Sequence, residues 1–117
     1  MEPTTNLKEK ISDNFLVKSG AITHQLNWKE ILYLEKDENY VIYHTAEKRI
    51  LQRETLSKLA PNLPAYFCRI HRSFIVSLRQ IDQIEREFIV IKGRKVPIGR
   101  TYKDKFSKNV ATFNASK

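Results

Sequence analysis

A chain of 117 residues bounds the answer to one domain with room for a single modest core. The apolar fraction of 41% and charged fraction of 29% are ordinary for a soluble domain, but 21 Lys and Arg against 13 Asp and Glu leave a net charge of +8, which favours a polyanionic partner such as nucleic acid or an anionic membrane. One cysteine, Cys68, excludes an internal disulfide and a multi-cysteine zinc site, and no apolar run approaches the length of a membrane span.

The opening MEPTTNLKEK has no apolar signal-peptide segment; residues 1–10 read as a charged linker, the cytoplasm is the simplest location, and the start suits a piece cut from a longer protein. From there the hydrophobic period is mostly two. NFLVKSG ends at a glycine turn and AITHQLNW alternates apolar and polar residues, which together predict a hairpin. EILYLEK, a polar turn DEN, YVIYHT, a turn EKR and ILQR follow as further strands and turns. The clear helix signal is LSKLAPNL, with Thr55 as its cap, an apolar face from Leu56, Leu59 and Leu63, and Pro61 and Pro64 limiting its length. YFCRIHRSFIVSL reads as one apolar strand interrupted by His71, Arg72 and Ser73; IDQIER, FIVIKG and KVPIG are short strands after it. TYKDKFSKNVATF suggests a final helical turn packing Tyr102, Phe106 and Val110. The expected fold class is therefore all-β, with one short α-helix.

Catalysis finds little support in the pattern. His24, His44 and His71 stand alone, with no spacing that ligates a metal, and three glycines cannot build a nucleotide-cradling loop. His71, Ser73 and Asp82 resemble a nucleophile set only in composition, and no Gly-x-Ser-x-Gly elbow accompanies them. No enzyme activity, metal or cofactor is expected. Cys68, between Phe67 and Arg69 in an apolar stretch, reads as a buried small hydrophobe in preference to a redox thiol.

Charge is more informative. Residues 69–105 hold ten basic side chains against four acidic ones, so most of the net charge lies in the C-terminal third. Arginine suits bidentate bonding to guanine edges and phosphate, whereas a charge run is elsewhere only a solvated face.

Three segments carry a family resemblance. EILYLEKDENYVIYHT, then ETLSKLAPNLPAYFCRIHRSFIVSLRQIDQI, then KVPIGRTYKDKF look like successive parts of the LytTR DNA-binding domain of bacterial response regulators. The resemblance runs from about Ile11 to Val110 and is most specific where F-x-R-x-H-R-S-F-I-V is followed by V-P-I-x-R-x-Y. It implies a LytTR-type domain over residues 11–112, a tail over 113–117, and an elongated stack of small, mainly antiparallel sheets. It also implies double-stranded DNA as partner, read by side chains from inter-strand loops entering successive major grooves. The base-reading positions then resemble Asn39, Arg72 and Arg100, with His71, Tyr102 and Lys103 beside them as phosphate contacts. Paired direct repeats in promoters, a homodimer on DNA and a preceding receiver or other signalling domain belong to the same implication. Two positions depart from the pattern: Ser77 stands where the family often has Asn, and Gly99 where it often has Ser, which removes a hydroxyl next to Arg100.

Each residue also has a plainer account. Arg72 could pair with Glu85 or Glu87, Asn39 could be a turn former, Tyr40 a core residue, and Tyr102 and Lys103 ordinary surface. Two rival functions remain at the level of sequence: a single-stranded nucleic-acid binder of OB type, needing exposed aromatics among basic residues, and a basic protein-interaction module.

Overall fold

The structure, a computed structural model, describes residues 13–115, so the linker expected over residues 1–10 lies outside the described residues. Its centre is a five-stranded sheet in the order β5-β4-β3-β7-β6, built from β3 (Tyr33–Asp37), β4 (Tyr40–His44), β5 (Arg49–Arg53), β6 (Phe67–His71) and β7 (Phe74–Ser77). A hairpin of β1 (Asn14–Ser19) and β2 (Ile22–Asn27) and a three-stranded sheet of β8 (Gln83–Ile84), β9 (Phe88–Ile91) and β10 (Arg94–Pro97) flank it. Every strand pairing among the described residues is antiparallel. Among the described residues, helices α1 (Leu56–Leu59) and α2 (Lys103–Ala115) complete an architecture of small stacked sheets measuring 46 × 36 × 25 Å.

Strand alternation decides what packs where. Leu34, Val41, Tyr43, Ile50 and Ile75 share one face of the central sheet and are buried with Val17, Leu26, Trp28 and Leu56 from the β1–β2 hairpin, the turn after it and α1. Tyr33, Cys68, Ile70 and Val76 are buried on the other face against Ile89, Ile91 and Val96 of the three-stranded sheet and Phe106 of α2. There are thus two apolar clusters, not the single core expected from length. A sheet apolar on both faces needs cover on both, and each flanking unit is too small to bury its own apolar side alone. At roughly 1.5–3 kcal/mol for each fully buried aliphatic or aromatic side chain, docking onto the central sheet stabilises both flanking units.

Several expectations are corrected. YFCRIHRSFIVSL is a hairpin, not one strand: β6 and β7 pair antiparallel around a two-residue turn at Arg72 and Ser73. The C-terminal segment is a helix of 13 residues instead of a single turn; the expected boundary at residue 112 falls inside it, and Phe113 packs against the second cluster. Tyr40 is 40% exposed and not core. Thr55 caps α1 as read, its side chain accepting from the Lys58 N–H at 3.2 Å, and a 3-10 turn over Ala60–Asn62 ends the segment. Ser77 is buried, and its hydroxyl has no hydrogen-bond partner among the described residues.

Candidate nucleic-acid interface

The order of strands brings distant parts of the chain to one end of the central sheet. The β3–β4 turn, Glu38 and Asn39, and the β6–β7 turn, Arg72 and Ser73, lie side by side because β3 pairs with β7; the Lys36 N–H donates to the Ser73 carbonyl at 2.8 Å. Two strand spacings separate the turn centres, roughly 10 Å. The segment after β10 joins them where the Gly99 N–H donates to the Ile70 carbonyl at 2.7 Å. A 3-10 turn over Arg100–Tyr102 then leads into α2. Asn39, His71, Arg72, Arg100, Tyr102 and Lys103 therefore all lie at this end.

A β-bulge sets the direction of the central pair. Arg69 pairs with Ile75, but His71, not Ile70, pairs with Phe74, so the ladder shifts by one residue within β6. Such a shift breaks alternation and re-aims the side chains after it. Ile70 is buried in the second cluster, and the His71 ring lies edge-on to Phe74 at 5.5 Å on that same side. The Ser73 N–H donates to His71 Nδ1 at 3.0 Å, so Nδ1 is the acceptor and Nε2 is left as the ring's donor position in the neutral form. Ser73 thus meets His71 through its backbone, not its hydroxyl, which is no nucleophile geometry. Gly99 supplies close approach: a Cβ there would stand 3.0 Å from Tyr102 Cδ2 and 3.5 Å from His71 Cα. A side chain at position 99 would therefore press on the Tyr102 ring and the His71 backbone.

Arg72 and Arg100 are exposed, and among the described residues neither makes an ion pair. Glu87 is bound instead by Lys103, whose Nζ lies 3.1 Å from Glu87 Oε1. Asn39 is exposed, and the left-handed residue of its turn is Glu38, at φ 56°. The usual reason for Asn in a turn, tolerance of positive φ, therefore does not apply to Asn39. A groove at this end adds Lys36, Arg53 and Lys58 to Asn39 and Thr55, with Glu38 and Glu54 on its walls. Those cations escaped the sequence reading, which weighed only the C-terminal third. The C-terminal third's excess is also not one patch. Lys92 lines a cleft at the opposite end with Lys29 and Lys48, and Arg79 lies over the Tyr66 ring at 5.1 Å.

The remaining chemistry is structural. His44 Nε2 lies 2.8 Å from Glu35 Oε1, and its ring stacks on Tyr33 at 4.3 Å. Burial holds the His44 imidazole below the ordinary histidine value, while Glu35 pulls the other way and Arg94 and Arg49 add to the depression. Phe15, Trp28, Tyr43 and Phe67 form a packed aromatic group in the first cluster. Cys68 is buried, accepts from the Asn109 side-chain N–H at 2.9 Å, and has its thiol pushed up by burial. No helix among the described residues is long and apolar enough to cross a membrane.

Turns from three sequence-distant segments, carried at one end of stacked antiparallel sheets with two arginines unpaired among the described residues, define a loop-presenting binding domain. The sequence model of the LytTr DNA-binding domain matches residues 21–111. The chain is 33% identical over 90 residues to the sensory transduction protein LytT of Bacillus anthracis, covering 71% of this chain and 37% of that protein. It is 28% identical over 94 residues to the transcriptional regulatory protein LytR of Staphylococcus aureus strain MW2, covering 74% of this chain and 38% of that protein. A solved LytTr DNA-binding domain of Bacillus cereus shares the fold, with a TM-score of 0.76 at 23% identity over 84% of this chain and 96% of the other. The chain belongs to the LytTR DNA-binding domain family, whose relatives here are bacterial transcriptional and response regulators. It spans less than two-fifths of the length of these full-length relatives.

Proposed function

We propose that this chain binds double-stranded DNA sequence-specifically, as the cytoplasmic output domain of a bacterial transcriptional regulator of the two-component type, and catalyses nothing. Asn39, Arg72 and Arg100 read base edges in the major groove, while His71, Tyr102 and Lys103 contact phosphates. The carrying observation is the convergence of the 38–39, 72–73 and 99–103 segments at one end, with Arg72 and Arg100 exposed and in no ion pair among the described residues. A guanidinium offers the bidentate fork that guanine O6 and N7 accept, and two turns roughly 10 Å apart suit a major groove about 12 Å wide. Lys103 meets phosphate by exchanging its carboxylate partner for an anionic oxygen. Promoter direct repeats, occupied by two copies, and a signalling domain N-terminal to the chain complete the reading.

Selection of bound duplexes from a random pool tests it. The expected result is one enriched sequence bound far better than its scramble near physiological salt. Absence of enrichment, or preference for single strands, rejects the reading.

A further inference from the structure

Arg69 stands on β6 just before the bulge and folds its guanidinium back over the β6–β7 turn. Nη2 donates to the Arg72 carbonyl at 2.6 Å, Nε to the His71 carbonyl at 3.4 Å, and Nη1 to the Ser57 hydroxyl of α1 at 3.4 Å. One planar fork thus serves two turn carbonyls and a neighbouring helix, a span that a single ammonium cannot cover. The His71 carbonyl belongs to the last pair of the shifted ladder and the Arg72 carbonyl to the turn itself, so the guanidinium ties the turn to the end of β6.

We infer that Arg69 is a positioning residue, a clamp that holds the β6–β7 turn in one geometry and braces it on α1 through Ser57 without itself touching DNA. The inference rests on the reading of Arg72 as a base-reading residue. A turn already ordered before binding does not lose conformational entropy on the DNA, and a base edge requires angular precision that phosphate attraction does not. Removing the clamp therefore weakens the selected duplex much more than a scrambled one. Arg69 is also a cation, so its alternative role is a phosphate contact; salt separates the two, since each lost phosphate contact lowers the slope of log affinity against log salt by about 0.9.

The test compares the wild type with Arg69→Gln, Arg69→Lys and Ser57→Ala on the duplex recovered by selection and on its scramble. Arg69→Gln is expected to lose about three- to tenfold on the selected duplex and far less on the scramble, at unchanged salt slope. Arg69→Lys should fail to rescue, and Ser57→Ala, which removes one strut, should show a smaller loss in the same direction. In the free protein, hydrogen exchange at the Ser73 amide should quicken in both Arg69 variants, because its acceptor, His71 Nδ1, is then less firmly held. A slope reduced by one contact, full rescue by lysine, or unchanged Ser73 exchange overturns the clamp. If the wild type discriminates between the duplexes and Arg69→Gln does so equally, the clamp alone falls. If the wild type does not discriminate, base reading by Arg72 falls first and the clamp with it.

Discussion

The side chains of Arg72 and Lys103 have different occupations in the free protein, and that difference separates their effects on DNA. Arg72 is exposed and its carbonyl, not its guanidinium, is used internally. Arg72→Ala should therefore leave stability nearly unchanged while costing about 1–3 kcal/mol on the selected duplex, with discrimination against the scramble reduced. Lys103→Ala should weaken both duplexes alike; competition binding distinguishes the two patterns, and equal losses on both duplexes for Arg72→Ala would reject its base-reading role. Cys68 is a residue-scale contrast: it is 3% exposed, its thiol is pushed up by burial, and Asn109 donates to it. A thiol-reactive reagent should modify it slowly in the native protein and at the full rate in denaturant. Rapid native labelling would show that the site opens without global unfolding. His71, Arg72 and Ser73 stand out in the sequence because they interrupt an apolar run, whereas the DNA-reading roles proposed for Asn39, Arg72 and Arg100 come from the family resemblance. The role of Arg69 was not, since its three acceptors depend on a bulge and on the docking of α1.

Elements were legible where a local signal defines them. Thr55, followed by Leu56 and Leu59 and stopped by Pro61, specifies α1 and its cap. Thr55→Ala should lower stability by about 1 kcal/mol in urea unfolding, Thr55→Ser much less, because the hydroxyl that accepts the Lys58 N–H is what the helix start needs. An alanine variant as stable as the wild type would mean that burial of Leu56 alone fixes this segment. The β6–β7 hairpin was missed because Arg-Ser lacks the Asn-Gly type of turn signature, and because apolar residues continue on both sides of it. For α2, Phe106, Val110 and Phe113 recur at helical spacing, but Ser107, Asn109 and Thr112 between them and Asn114 after them are weak helix formers. Packing on the second cluster decides the length of α2, and packing is not visible in local composition. The pairing of β3 with β7, which brings Asn39 towards Arg72, is likewise non-local.

At the scale of the whole molecule, the central sheet joins two apolar clusters, and a polar group stands where its second face meets the three-stranded sheet. Tyr33, Glu35 and His44 come from β3 and β4, Arg49 faces them from β5, and Arg94 faces them from β10. Burial is the first cause of the low His44 value; Arg94 and Arg49 act in the same direction, and the hydrogen bond and charge of Glu35 oppose them. In the unfolded chain, His44 takes up its proton around the ordinary value of 6.5, whereas in the folded protein it does so only at lower pH. Between those two points the unfolded state binds more protons, so stability must fall as pH drops below about 6.5, and the term vanishes above it. His44→Gln keeps a polar side chain beside Glu35 but cannot titrate, while His24 and His71 remain as in the wild type. Urea midpoints measured at about pH 7.5 and about pH 5.5 should therefore converge more closely in the variant than in the wild type. A variant with the same pH dependence as the wild type would remove His44 as the source. A wild type whose stability rises on acidification through this window would show that the Glu35 pair outweighs burial and that the protonated form holds the two sheets together.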